Sequence, residues 1–130
     1  MEKQAEQHFE QILTLAREHF ENIQIKTYDI SEQRAFLRIE ATFGKRRIAL
    51  TEIVRTTSRA YPYYLLDGDQ VILGWDNAPD RQALRLKYGR DFTMHIHDEI
   101  SHQHLQDGTV ALTFEKNFVE FLDDLLNLGE

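Results

Sequence analysis

Apolar residues near both ends of the chain recur with the spacing of amphipathic helices. Near the N-terminus they return every three or four positions from Phe9 to Ile23, with polar residues between them. Near the C-terminus a stripe of phenylalanine and leucine side chains begins after Thr113, which can cap a helix. The pattern therefore predicts a helix over residues 4–22 and a second helix over residues 113–127.

Between these helices the hydrophobic period changes to two, which is typical of strands. Residues 35–43 alternate clearly, with Leu37 and Ile39 on one face and Arg38 and Glu40 on the other. The other predicted strands lie at residues 23–30, 48–54, 61–66, 71–75 and 92–97.

Short turns join these strands, and Asp67-Gly68-Asp69 is typical of a β-hairpin. Short connections favour antiparallel neighbours. We predict a single α+β domain over residues 1–130. Its antiparallel meander β-sheet has about five or six strands within residues 23–97, with the N- and C-terminal helices packed on one face. The other face of the sheet would then be open to a substrate or a partner.

The composition limits the class of protein. The chain has 130 residues, of which 42% are hydrophobic and 28% are charged, as in ordinary globular domains. It has no cysteine, which excludes a disulfide scaffold, a cysteine nucleophile and thiolate metal ligation. It also has no signal peptide and no apolar run long enough for a membrane span. We therefore expect a cytoplasmic protein without a membrane partner.

Charge is distributed unevenly along the chain. The formal net charge is −7, yet residues 34–95 carry eleven basic and seven acidic side chains. Acidic segments lie on both sides of this basic centre. The overall charge argues against indiscriminate nucleic-acid binding, but a local basic surface can still hold a phosphate chain. An ordinary solvated surface explains the same distribution.

Histidines are concentrated in one segment, since four of the six lie between residues 95 and 104. In the predicted strand over residues 92–97, His95 and His97 share a face. Such a pair can act as general acid and base in phosphoryl transfer. It can instead ligate a divalent metal, completed by Asp98, Glu99, His102 or His104. It can also be only a polar strand face. We assign the pair to catalysis, and assign no metal ligand and no cofactor.

Two further acidic positions are candidates for the same chemistry. Asp76 and Asn77 follow an apolar strand, where a carboxylate could orient a histidine and an amide could contact substrate. Turn formation explains their local composition equally well. Glu52 is a charged residue within an apolar run and is a further acid–base candidate.

Candidate substrate-binding residues precede the histidines. Tyr63 belongs to a tyrosine-rich strand and could stack on a base or bond a phosphate. Four cations within ten residues form the most plausible phosphate-contact segment. They are Arg81, Arg85, Lys87 and Arg90. A solvated basic loop is the alternative interpretation of this segment.

The order of these motifs resembles the TumE-like family, small proteins assigned as the toxin half of bacterial and archaeal toxin–antitoxin pairs. The family pattern contains an aromatic-Asp-Asn-Ala-Pro-His-His stretch. This chain matches it with Trp75-Asp76-Asn77-Ala78-Pro79, but Asp80 and Arg81 replace the two histidines. The resemblance spans about residues 23–126.

A second family stretch, Phe-Pro-His-His-Lys-His, is matched in part. Phe92, His95 and His97 agree with it. The replaced positions are Thr93, Met94 and Ile96. Two of the five histidines in the two family stretches are therefore present, which fits a minimal acid–base pair and fits a divergent homologue without activity equally well.

The residues and the resemblance together support two hypotheses. The first is a toxin-like, metal-independent ribonuclease that uses the histidine pair and binds RNA. The second is a catalytically degenerate module that docks on a partner protein or RNA. The resemblance implies a cognate antitoxin as a partner, whereas the sequence indicates no particular oligomeric state.

Overall fold

One antiparallel sheet organises the chain in the computed structural model, which describes residues 2–128. The helices are α1 (Glu2–His19), α2 (Arg81–Tyr88) and α3 (Phe118–Leu126), and a 3-10 helix covers Gly89–His95. The strands are β1 (Glu21–Ile30), β2 (Arg34–Phe43), β3 (Arg46–Arg55), β4 (Arg59–Ala60), β5 (Tyr63–Asp67), β6 (Gln70–Asp76), β7 (His102–Leu105) and β8 (Val110–Leu112). This architecture confirms the predicted α+β class.

The sheet follows the order of the chain almost completely. Its strands run β1-β2-β3-β5-β6-β7-β8, and the two-residue β4 pairs with the end of β3. All pairs are antiparallel. The strand count is higher than predicted because β7 and β8 are short. Neither is long enough to show a clear alternation of apolar and polar residues.

One face of the sheet packs against α1 and α3, as predicted. Alternate residues of β2 and β3, such as Leu37, Ile39 and Leu50, lie under the two helices. From the helices, Phe9 and Phe121 enter the same core and are fully buried. Strand alternation and helical spacing therefore meet at one apolar layer.

The C-terminal helix begins later than residue 113. Its N-cap is Asn117, whose side chain accepts a hydrogen bond from the Glu120 N–H, while the Glu120 side chain bonds the Asn117 N–H. This capping box satisfies two amides that would otherwise lack partners. A hydrophobic stripe marks the face of a helix but not where the helix starts.

At the β8 end of the sheet, α2 covers the second face. This helix contains most of the basic segment for which a solvated loop was the alternative interpretation. It starts at the N-cap Asp80, which accepts a bond from the Ala83 N–H, and ends at Gly89 with a φ of 62°. Ala83 and Leu84 are buried against Ile100 in a small second cluster.

The strand predicted over residues 92–97 is wrong. That segment is the end of the 3-10 helix followed by a turn. Of its apolar residues, Phe92 packs against the small cluster under α2, but Met94 is 81% exposed. The alternation therefore has no common buried face to support it.

The core predicts a sharp contrast between two phenylalanines. Phe121 is fully buried and its ring lies 5.3 Å from Tyr63 and 5.7 Å from Trp75, measured between centroids. Phe121→Ala should lower the free energy of unfolding by about 3–5 kcal/mol, because it leaves a cavity. Phe114 is 94% exposed. Phe114→Ala, the matched control, should change the free energy of unfolding by less than about 0.5 kcal/mol.

Urea denaturation measures both values. Equal losses of stability in the two variants would contradict this assignment of the core.

Candidate functional site

The pairing register of β6 and β7 brings three side chains together on the second face of the sheet, and each of them can bind a metal ion or a proton. Asp76 pairs with His102, and Gly74 pairs with His104. Residues paired across a ladder, and residues two apart on a strand, lie on the same face. One ligand atom from each of Asp76, His102 and His104 lies within 4.8 Å of the others. We call these three residues the β6–β7 cluster.

His102 has a defined ring orientation within the cluster. Its side chain is 1% exposed, and its Nδ1 lies 2.6 Å from the Ile100 carbonyl oxygen. A carbonyl only accepts hydrogen bonds, so Nδ1 carries the proton and Nε2 carries a lone pair. That Nε2 lies 3.1 Å from Nε2 of His104.

Asp76 is held by donors on both of its oxygens. Its Oδ2 accepts a hydrogen bond of 3.0 Å from the Tyr64 hydroxyl, and its Oδ1 accepts one of 2.9 Å from the Ala78 N–H. A second carboxylate is close, since Oδ2 of Asp80 lies 3.9 Å from Nε2 of His102. Neither Tyr64 nor Asp80 was singled out from the sequence as part of a site.

Gly74 makes room for Tyr64. A Cβ atom at position 74 would lie within 3.0 Å of two carbons of the Tyr64 ring. Because glycine has no Cβ, the Tyr64 ring can lie against residue 74, and its hydroxyl reaches Asp76. The Tyr64 and His104 rings are 5.7 Å apart between centroids. The glycine is therefore a requirement of the site rather than of a turn.

Burial and charge shift the ionisation of this site. Burial lowers the pKa of His104, and repulsion from His102 lowers it further, against the opposing effect of Asp80 and Asp76. Burial also raises the pKa of Tyr64, and its hydrogen bond to Asp76 adds to that effect. At neutral pH the His104 ring is therefore an uncharged base and the Tyr64 hydroxyl is a donor.

The predicted histidine pair lies elsewhere and does not share a strand face. His95 ends the 3-10 helix and stacks on Tyr88, with centroids 3.6 Å apart and planes 7° from parallel. Its Nδ1 lies 2.8 Å from Oδ2 of Asp98. His97 lies in the following turn and is exposed. Asp98, not Asp76, therefore holds the ring of His95.

The four predicted phosphate-binding cations precede this histidine segment in the chain. Arg81, Arg85 and Lys87 are exposed on α2, and Arg90 is exposed on the 3-10 helix. The guanidinium carbons of Arg81 and Arg85 lie 5.8 and 4.6 Å from the centre of the Phe92 ring. Lys87 Nζ lies 5.2 Å from the centre of the Tyr88 ring, the ring on which His95 stacks. Two of the cations therefore share one aromatic partner, and a third lies against the partner of His95.

Asn77 is 7% exposed and its side chain is committed to backbone partners. Its Nδ2 donates to the Arg59 carbonyl at 2.6 Å, and its Oδ1 accepts from the Tyr61 N–H at 3.2 Å. Both halves of the Asn77 amide therefore have a protein partner, and the substrate contact of Asn77 stays a prediction.

The family model described as "Toxin TumE" matches residues 9–128. The chain belongs to the TumE toxin family. This confirms the resemblance seen in the sequence, and it makes the protein a toxin component of a toxin–antitoxin system with an antitoxin as its expected partner. Comparisons with curated proteins and with solved structures gave no match.

No helix within residues 2–128 combines the length and apolar character needed to cross a bilayer.

In and beside the Asp-Asn-Ala-Pro stretch of this TumE-family chain, the side chains differ in burial and in role. Trp75 and Asn77 are buried, whereas Asp76 is half-buried in the β6–β7 cluster. Asp80 caps α2, and Arg81 is the first residue of that helix. The spacing His102-Gln103-His104 repeats that of His95 and His97, and is the sequence signal that indicates the second pair.

Glu52 and Tyr63 lie on the opposite face of the sheet from the β6–β7 cluster. Both are fully buried. The Glu52 carboxylate accepts bonds from Arg59 and from the Tyr63 hydroxyl, and lies 3.1 Å from Nε2 of His8. Arg59 also donates to the Lys116 carbonyl and to Glu115 at 2.7 Å. The structure therefore does not bring Glu52 or Tyr63 to a surface where substrate can bind.

This buried network fixes the ionisation of Glu52. Burial by itself raises the pKa of the Glu52 carboxyl, but hydrogen bonds and charge from His8, Arg59 and Tyr63 outweigh it and hold the pKa below its ordinary value of 4.5. A carboxylate with a lowered pKa stabilises the folded state above the unfolded pKa. That contribution is lost as the pH falls through the folded pKa.

Glu52→Gln tests this structural role. At neutral pH the variant should lose about 3 kcal/mol of unfolding free energy, because Arg59 keeps its charge without a buried partner. The difference between wild type and variant should shrink as the pH falls from 4.5, the ordinary pKa of the carboxyl, through its lowered pKa in the folded protein. Urea denaturation at a series of pH values measures it, with exposed Glu18→Gln as the control. A difference that is independent of pH would contradict the ionised network.

Proposed function

We propose that this TumE-family toxin is a ribonuclease that cleaves RNA on the surface formed by α2 and the 3-10 helix. The observation that supports it most is the geometry of His95. Its ring is stacked on Tyr88 and bonded to Asp98, beside a row of exposed cations. A histidine oriented by a carboxylate is a common arrangement for a general base.

The proposed reaction starts at Nε2 of His95. Because Nδ1 donates to Asp98, Nε2 carries the lone pair and can take the proton of a ribose 2′-hydroxyl. The 2′-oxygen then attacks the adjacent phosphorus, and the bond from phosphorus to the 5′-oxygen breaks. His97 gives a proton to that leaving oxygen. The products are a 2′,3′-cyclic phosphate and a 5′-hydroxyl end. The proposed reaction does not use a metal ion.

The cations near His95 bind the RNA chain in this proposal. Arg85, held over Phe92, is placed to offset charge that develops on the phosphate, while Arg81, Lys87 and Arg90 contact neighbouring phosphates. The half-buried Tyr88 and the exposed, apolar Leu86 offer contact surface for bases. Removing one of these arginines should weaken RNA binding uniformly across sequences.

A second function is favoured by one observation. Asp80 and Arg81 stand where the family pattern has histidines, and in the structure Asp80 serves to cap α2. A family member that has lost catalysis but still docks on an antitoxin or RNA would carry such replacements. The rate measurement below separates this binding module from the ribonuclease.

Purified protein incubated with single-stranded RNA oligonucleotides of mixed sequence provides the test. His95→Ala should lower the cleavage rate by on the order of 10²-fold or more, since it removes the general base. His97→Ala should also slow cleavage, and a 2′-deoxy oligonucleotide should resist it. The matched control is His19→Ala, which removes an exposed histidine from α1.

Each outcome decides between the candidates. Cleavage by wild type and His19→Ala, with loss in His95→Ala, supports the ribonuclease. Full activity of the His95→Ala/His97→Ala double variant would refute it. RNA that stays intact with wild type, while the protein still binds it, supports the binding module instead.

A further inference from the structure

We propose that the β6–β7 cluster, Asp76, His102 and His104, binds one divalent zinc-class metal ion, with Asp80 as a second carboxylate ligand. The site lies on the strands β6 and β7 rather than on the histidine segment of the 3-10 helix. It is therefore separate from the proposed ribonuclease centre and does not depend on it.

The ligand set suits a borderline metal ion. Imidazole nitrogens and carboxylate oxygens are ligands that zinc and its neighbours bind well, and two of each fill the four positions of a tetrahedral site. Magnesium and calcium prefer sites made only of oxygen atoms. The two histidines therefore favour a transition-metal ion over either of these.

The spacing is close to what one ion requires. Two nitrogens bound to zinc at 2.0–2.1 Å with tetrahedral geometry lie about 3.4 Å apart. The two Nε2 atoms of His102 and His104 are 3.1 Å apart. The Asp76 oxygen lies within 4.8 Å of both, so a shift of about 1 Å in the carboxylate completes a three-ligand site.

Two of the ligands, His102 and Asp76, already have the supporting bonds that metal ligands usually have. The Nδ1 proton of His102 is donated to the Ile100 carbonyl, which directs the Nε2 lone pair toward His104. Asp76 is bonded by the Tyr64 hydroxyl and the Ala78 N–H. Such outer bonds fix ring orientation and carboxylate position before the ion arrives.

Burial distinguishes this site from a group of exposed side chains on the surface. His102 is 1% exposed, whereas Asp76 and His104 are half-buried, so an ion could enter from one side. Asp80 lies 3.9 Å from Nε2 of His102 and also caps α2. An ion that recruits Asp80 would tie the start of α2 to β7.

Without an ion, the same short contact is a hydrogen bond in which His104 Nε2–H donates to His102 Nε2. A metal site binds added zinc, whereas a simple hydrogen-bonded pair of histidines does not. Calorimetric titration of the untagged protein with zinc distinguishes these two alternatives. We expect one ion per chain. Cobalt, used as a spectroscopic probe, should give the intense visible bands of four-coordinate cobalt.

Two conservative variants remove a ligand with little change in shape. Asp76→Asn keeps an oxygen to accept the Ala78 N–H, and His104→Gln keeps a polar side chain. Each should weaken zinc binding by at least about 100-fold, since loss of a supporting bond alone costs about 10- to 100-fold. Urea denaturation without metal should show that both variants are folded.

The controls leave the cluster intact. His19→Ala should bind zinc as wild type does. The His95→Ala/His97→Ala double variant should bind it too, since the cluster does not include that pair. Zinc binding that survives His104→Gln but disappears in the double variant would overturn the proposal, and so would the absence of site-specific binding by folded wild type.

The binding readout is independent of RNA cleavage. Wild-type protein that binds zinc but does not cleave RNA would count against the proposed function alone. Wild-type protein that cleaves RNA but does not bind zinc would count against the metal site alone.

Discussion

Two hydrogen bonds from the buried amide of Asn77 connect parts of the chain that are distant in sequence. The side chain bonds the backbone of Arg59 and Tyr61, and the Asn77 carbonyl accepts a bond of 3.1 Å from the Ile100 N–H. The residue that follows β6 is thereby joined to β4, to the segment between β4 and β5, and to the segment that leads into β7. The junction lies next to the pairing of Asp76 with His102.

Strand alternation around this junction separates stability from chemistry. On one face, Trp75 enters the core with Phe121, and the Glu52–Arg59 pair is buried beneath α1 and α3. On the other face, Asp76 meets the two histidines of β7, and α2 adds a row of cations. A buried ion pair and an accessible ligand cluster need opposite environments, and a two-sided sheet supplies both.

The fold class and much of the core were predictable because they depend on local periodicity. The alternation in β2 and the helical stripe around Phe121 each indicate one buried face. The β6–β7 cluster was not predictable, because it depends on which residues pair across β6 and β7. The amphipathic spacing of α2 was hidden by its three cations, and residues 92–97 alternate without a layer to cover them. Asn77 was identified as a key residue, but its role follows from backbone partners that the sequence does not reveal.

The proposed function requires RNA to bind on the surface formed by α2 and the 3-10 helix. The most direct measurement is an NMR titration of the labelled protein with a non-cleavable 2′-O-methyl RNA oligonucleotide. We expect amide shift changes in α2 and in the 3-10 helix, with α1 and α3 unchanged. Shift changes concentrated on α1 and α3 would contradict it.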